Sequence, residues 1–251
     1  MALQPWRTGK VIAVKEEIPF TRRFWIQVPE LTQFDFMPGQ FVTLDLPIHE
    51  KPSKRWRSYS IASWPDGTNV FELVIVLLEN GAGTTYLFNE IKEGSELVFR
   101  GAQGIFTLPE KIEKDLFLVC TGTGIAPFRS MVQYIHLHNT SHKNIYLLFG
   151  CRTQKDLLYF DELNELQNKL PGFKYIPSLS REQWTGKSGY VHSLYEEIVN
   201  GAGTQVNENG LMVPLPASFY LCGWKNMIDE ARQRITALGF DKKAIHLELY
   251  G

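Results

Sequence analysis

The chain has 251 residues, enough for two compact domains or one large one, and 44% of them are hydrophobic, which excludes wholesale disorder. A formal net charge of −1 argues against nucleic acid as the main partner, because phosphate binding needs a basic footprint. The three cysteines, Cys120, Cys151 and Cys222, are too few and too widely spaced for a disulfide framework or a four-thiolate cluster, and fit a reduced, cytoplasmic setting.

The first ten residues show no apolar run of the kind a secretory signal carries. Residues 9–107 then read as all-β. Strand-like runs at 11–17, 22–28, 40–46, 57–63, 70–78 and 96–102 are rich in β-branched and aromatic residues, and turn signals such as Pro38-Gly39 and Pro65-Asp66-Gly67 separate them. Six such strands predict a small antiparallel β-barrel. One helix interrupts them after Gly81-Ala82-Gly83-Thr84-Thr85, with Leu87, Phe88 and Ile91 on one face and Gly94 as its stop.

The pattern changes at Leu108-Pro109, where we place a boundary between domains 1–109 and 110–251. Strand and helix alternate beyond it. Runs at 115–120 and 144–150 lead into helices over about 126–139 and 158–170. The segments FKYIPS, YVHSLYEEIV, SFYLCG, MIDEARQRITALG and AIHLELY follow. This predicts an α/β, doubly wound parallel sheet. Residues 201–216 lack periodicity and read as a surface loop. The longest apolar runs are strand-length, so no membrane insertion is expected. The six histidines show no ligand spacing, so no metal site is expected.

Four motifs carry chemistry. Thr121-Gly122-Thr123-Gly124-Ile125-Ala126-Pro127 follows an apolar strand and opens a helix, where backbone N–H groups can approach a diphosphate. Arg57-Ser58-Tyr59-Ser60 lies on a strand within a basic stretch. Arg57 and Tyr59 share one face there, a guanidinium and a ring suited to a ligand with phosphates and a flat ring system. Gly81–Thr85 offers a second phosphate cradle. Cys222-Gly223 ends a strand at its carboxyl end, where α/β sheets hold ligands.

Together with Gly101-Ala102-Gln103-Gly104-Ile105-Phe106 and the terminal Glu248-Leu249-Tyr250, these motifs resemble the ferredoxin–NADP reductase-type flavoproteins over nearly the whole chain. The resemblance implies an FAD-binding barrel and a pyridine-nucleotide domain. Arg57, Ser58, Tyr59 and Ser60 would contact FAD, with Ser60 approaching flavin N5. Gly83, Thr84 and Thr85 would complete the diphosphate site, and Val74, Ile75 and Val76 would border the ring. Thr121, Gly122, Thr123, Gly124 and Pro127 would take the nicotinamide dinucleotide, with Arg152 as a further contact. Ser180, Arg181 and Lys187 resemble the 2′-phosphate site of NADPH users, so NADPH is expected over NADH. Cys222 and Gly223 would sit beside the nicotinamide, with Glu248 near the thiol. Tyr250 would cover the flavin until the nicotinamide enters. Ser60, Cys222, Glu248 and Tyr250 form the implied catalytic set. Gly251 follows Tyr250 and departs from the family ending.

The implied function is hydride exchange between NADPH and FAD, and one-electron exchange with a separate ferredoxin or flavodoxin-type carrier, by a monomer. The alternatives are a flavin reductase and the reductase component of an oxygenase. The basic residues Lys51 and Lys54, with Arg22 and Arg23, are the expected docking surface for an acidic carrier.

Overall fold

The computed structural model describes residues 4–250, so Gly251 lies outside the described residues. The chain divides by contact into two compact units. The first comprises residues up to Leu108 together with Ala126–His138, and the second Pro109–Ile125 together with residues from Asn139 onward.

In the first unit β1 (Trp6–Ile18), β2 (Thr21–Gln27), β3 (Phe41–Asp45), β4 (Trp56–Ser60), β5 (Val70–Val76) and β6 (Glu96–Gln103) form an antiparallel sheet in the order β4-β3-β6-β1-β2-β5. An antiparallel bridge between Ile61 and Leu73 links the two edges and curls the sheet into a barrel. Alternating residues fill its interior: Phe24 and Ile26, Val42 and Leu44, Phe71 and Leu73, and Leu97 and Phe99 are all buried. Phe71 packs 5.0 Å from Phe34 and 5.1 Å from Phe99, ring centre to ring centre.

The barrel's helix is α1 (Ala82–Asn89). Gly83, Thr84 and Thr85 therefore form its first turn, where the sequence reading set them in a turn ahead of the helix. α2 (Ala126–Leu137) groups with this unit. Its Arg129 Nη1 donates to Glu72 Oε2 at 3.1 Å and to the Ala62 carbonyl at 2.9 Å. Glu72, itself buried, also accepts Arg23 through Nε at 2.7 Å and Nη2 at 2.9 Å.

Arg23 is thus a structural cation, which corrects its expected place on a docking surface. Arg22 is committed too: Nη1 donates to the Phe88 carbonyl at 2.7 Å and the guanidinium lies over the Phe88 ring. Lys51 and Lys54 are exposed, as expected of docking residues.

In the second unit β7 (Asp115–Thr121), β8 (Ile145–Cys151), β9 (Phe173–Leu179), β10 (Lys187–Ser188), β13 (Ala217–Trp224) and β14 (Ile245–Tyr250) form a parallel sheet ordered β10-β9-β8-β7-β13-β14. The helices α3 (Phe160–Lys169), α4 (His192–Ala202) and α5 (Lys225–Ala237) accompany it. Phe117 anchors the core, stacked 4.8 Å from both Tyr146 and Phe219. The order runs outward from β7 in both directions, so the topological switch lies between β7 and β13. Residues 201–216 are not all loop, as expected from their composition. β11 (Thr204–Val206) and β12 (Met212–Pro214) pair as a hairpin, turned by Asn207, whose side chain accepts from the N–H groups of Asn209 and Leu211.

Candidate functional site

Of the residues assigned to the flavin, all but Tyr250 lie in the first unit. Pairing along β4 sets Arg57 opposite Leu44, Ser58 opposite Thr43, Tyr59 opposite Val42 and Ser60 opposite Phe41. Arg57 is braced by donating Nη1 to the carbonyls of Lys54 at 3.0 Å and Trp56 at 2.8 Å. It lies against Gly83: a Cβ there would stand 3.0 Å from Arg57 Cγ. The first-turn N–H groups of α1 have no intrahelical acceptor, and the helix dipole adds positive potential beside the guanidinium. An anion is the chemistry this pair fits, as an FAD diphosphate requires.

The side chains near this cradle differ in what they have to offer. Thr84 is buried, and its Oγ1 accepts from Leu78 N and donates to the Gly81 carbonyl, both at 3.1 Å, so it secures the turn. Thr85 is exposed. Ser58 Oγ is 3.0 Å from Thr43 Oγ1, which also accepts from Gln103 Nε2 at 2.9 Å. Ser60 is buried. Burial pushes the Tyr59 phenol up to about 12, with Arg57 pulling the other way, so the ring presents a neutral face. Val74, Ile75 and Val76 pair with Arg23, Arg22 and Thr21 along one edge of β5. Their other edge has no strand partner among the described residues, which leaves backbone groups for a planar ligand.

Of the dinucleotide-side residues, Thr121, Gly122, Thr123, Gly124, Cys222 and Gly223 gather at the switch point of the second unit, while Pro127 opens α2, which groups with the first. β7 ends at Thr121, and Gly122–Ile125 form a 3₁₀ turn that leads directly into Ala126 and Pro127 of α2. Gly122 has φ +54, a left-handed conformation costly for other residues. On the neighbouring strand Gly223 has φ +151, and a Cβ there would lie 2.6 Å from Thr121 Oγ1. That hydroxyl is buried without a hydrogen-bond partner among the described residues, a donor left for a ligand at the strand ends.

Cys222 is fully buried, in register with Cys120 on β7 and Glu248 on β14. Burial holds its thiol well above the usual range. The Glu248 charge acts in the same sense, and a hydrogen bond from the Tyr250 side chain opposes them. The thiol is therefore neutral. Three residues assigned from sequence, Cys222, Glu248 and Tyr250, are brought together here.

The loops after β8 and β9 are laced to each other. Ser180 N and Oγ both donate to the Cys151 carbonyl, at 2.9 and 3.1 Å, Arg181 N donates to the Arg152 carbonyl at 2.9 Å, and Gln154 N donates to Glu182 Oε2 at 2.8 Å. Arg152 and Arg181 thus emerge side by side, both exposed and with side chains unpaired among the described residues. Lys187 is different, because its ammonium is ion-paired to Glu197 at 2.7 Å. Sequence reasoning missed Glu182, Thr43 and Gln103, which act on assigned residues through contacts that only folding creates. The Thr153–Asp156 capping box was the one local signal for this lacing.

Residues 9–108 match the oxidoreductase FAD-binding domain and residues 118–233 the oxidoreductase NAD-binding domain. Over 249 residues the chain is 34% identical to ferredoxin–NADP reductase B of Sorangium cellulosum, covering 96% of both chains. The chain belongs to the ferredoxin–NADP reductase family. Within that family it is also 31% identical over 202 residues to the electron transfer component of anthranilate 1,2-dioxygenase of Acinetobacter baylyi, spanning 80% of this chain and 54% of that one. Among solved structures it resembles a ferredoxin NADP+ reductase from Neisseria gonorrhoeae with bound FAD and NADP, at TM-score 0.78 and 25% identity over 97% of this chain and 98% of that one. It also resembles the Amycolatopsis cytochrome P450 reductase GcoB, at TM-score 0.82 and 26% identity over 98% of this chain and 70% of that one. The chain is an oxidoreductase of flavin and nicotinamide dinucleotide. No helix of the described residues is long and apolar enough to cross a membrane.

Proposed function

We propose that the chain is a ferredoxin–NADP+ reductase, exchanging hydride between NADPH and FAD and single electrons between FAD and a separate ferredoxin or flavodoxin-type carrier. The observation that carries this reading is the 34% identity to a reductase of that name across 96% of both chains. FAD supplies the redox chemistry, since it takes a hydride and releases electrons singly. The work of this chain is binding, orientation and polarity.

Arg57 and the first turn of α1 hold the diphosphate, and Tyr59, Ser60 and the free edge of Val74–Val76 hold the ring. Ser58 braces β4 through Thr43. On the dinucleotide side Thr121, Gly122, Thr123, Gly124 and Pro127 receive the diphosphate and nicotinamide, and Arg152, Ser180 and Arg181 receive the adenosine end. In this reading Lys187 takes part only after leaving Glu197. Cys222 offers a neutral, polarisable surface at the nicotinamide, Glu248 the nearby carboxylate, and Tyr250 the side chain that must yield for the ring to enter. Domains 1–109 and 110–251 divide these two tasks. The three free cysteines suit a cytoplasmic setting, and in this reading the chain acts as a monomer.

A second reading, the reductase component of an oxygenase, is favoured by the similarity to the anthranilate dioxygenase component. It differs only in the acceptor. A flavin reductase that releases its flavin has no use for the Arg57–Gly83 cradle. The discriminating experiment is reduction of added ferredoxin by NADPH, set beside the FAD content after purification. Stoichiometric FAD with ferredoxin reduction supports the first reading. FAD retained without ferredoxin reduction points to the oxygenase partner.

A further inference from the structure

The strip of β14 beside α5 is left partly uncovered. Ile245, Leu247 and Leu249 alternate along the strand and so share one face; Leu247 and Leu249 remain 40% and 53% exposed. A groove of about 590 Å³ runs between this strip and α5, lined by Ile245, Leu247, Asp229, Arg232, Thr236 and Lys242. β14 also ends the sheet, so one row of its N–H and C=O groups has no strand partner among the described residues. Soluble proteins ordinarily blunt such an edge with Lys, Pro or a bulge. β14 reads Ile-His-Leu-Glu-Leu-Tyr, and its register with β13 is unbroken.

The rim has a sign. Asp229 is ion-paired to Lys225, whereas the Arg232 and Lys242 side chains have no hydrogen-bond or ion-pair partner among the described residues. We propose that this groove and edge bind an extended acidic segment of a partner protein. The segment adds to the sheet beside β14, seats its apolar side chains between Leu247 and α5, and sets its carboxylates on Arg232 and Lys242. Charge disfavours a second copy as the occupant. A second copy would present the same cationic rim, Arg232 and Lys242, and not the carboxylates that this rim suits. None of the groove's lining residues belongs to the flavin or dinucleotide set, although β14 itself also carries Glu248 and Tyr250 of that set.

The test uses the full, FAD-loaded chain and two labelled synthetic peptides, one alternating Glu with Val and Thr, the other alternating Lys with the same residues. The acidic peptide is expected to bind, the basic one not. Amide exchange is expected to slow at Leu247 and Leu249 on binding. Combining Arg232→Glu with Lys242→Glu should weaken the acidic peptide at least about tenfold, as added salt should, while NADPH-driven dye reduction is unchanged. Four results would overturn the proposal: no acidic-peptide binding, equal binding of both peptides, binding indifferent to the double variant, or concentration-dependent protection of β14 without peptide, which marks a second copy as the occupant.

Discussion

A Cβ on Gly124 would stand 2.4 Å from the carbonyl oxygen of Cys222 and 2.8 Å from its carbonyl carbon. The turn after β7 is therefore pressed onto the end of β13, and only glycine permits it. Gly124→Ala must push the turn away from the backbone, at a cost of about 1–3 kcal/mol for overpacking. We expect dinucleotide affinity to fall at least about tenfold and FAD content to stay near wild type. Dinucleotide titration beside flavin quantitation checks this. Unchanged dinucleotide affinity would count against the assignment of the turn.

The Arg57–Gly83 contact gives a complementary expectation for the other cofactor. A charged hydrogen bond contributes about 1.5–3 kcal/mol, so Arg57→Ala should weaken FAD roughly 10–150-fold. Gly83→Val should act in the same direction by displacing the guanidinium. Both proteins should keep their far-ultraviolet circular dichroism, so flavin loss with folding intact is the expected pattern.

Dinucleotide choice should turn on Arg181 more than on Lys187, because Lys187 is already held by Glu197. Arg181→Ala is expected to weaken NADPH use about 10–150-fold and leave NADH use nearly unchanged. Lys187→Ala should cost less. Glu197→Gln frees the ammonium and should favour NADPH. Equal losses with both dinucleotides in Arg181→Ala would remove the arginine from the 2′-phosphate site.

The three thiols should be inert in the folded protein. Burial raises Cys120 and Cys222 well above the ordinary thiol range, and raises Cys151 to about 12, where Asp156 and Glu182 add to the effect. A pKa raised in this way keeps the thiol protonated, and the nucleophilic thiolate stays scarce until the pH climbs past the free-thiol value of about 8.5 toward the folded one. Iodoacetamide at about pH 8 should leave all three unmodified, and modify all three after denaturation. The same sign applies to folding: the buried neutral thiols favour the native state at neutral pH, and that stability is lost as the pH rises above about 8.5. Rapid native labelling of Cys222 would show an ionised thiol at the strand ends.

Docking of an acidic carrier should separate Lys51 and Lys54 from Arg23. Charge reversal at the two exposed lysines should slow electron delivery at low salt and spare dye reduction. Arg23→Glu instead breaks a buried ion pair with Glu72, a change that typically costs about 3–5 kcal/mol, and should appear as a lower melting temperature. Carrier kinetics indifferent to both lysines would move the docking surface elsewhere.

The strands of both units were legible because apolar alternation in one and short apolar runs in the other follow directly from what each strand buries. Glu248 near the Cys222 thiol was expected from the family resemblance alone; the register that sets Cys222 beside Glu248, and Tyr59 opposite Val42, comes from the fold. Contacts between residues distant in sequence were not readable. Arg23, basic and next to Arg22, looks like a surface cation until β2 is laid beside β5 and Glu72 is found two residues along from Val74, its register partner. Nothing local to Arg129 announces that it reaches the same carboxylate. The hairpin at 204–214 was hidden by its Gly and Asn content, which marks a turn but is silent on the three-residue strands that flank it.

The most direct test of the central claim is an anaerobic titration of the purified, FAD-loaded chain with NADPH and then NADH, following the flavin's visible absorption band. The account predicts that stoichiometric NADPH bleaches the band, that NADH does so only at higher concentration, and that Arg181→Ala erases the difference. A flavin that stays oxidised under excess of both dinucleotides would contradict it.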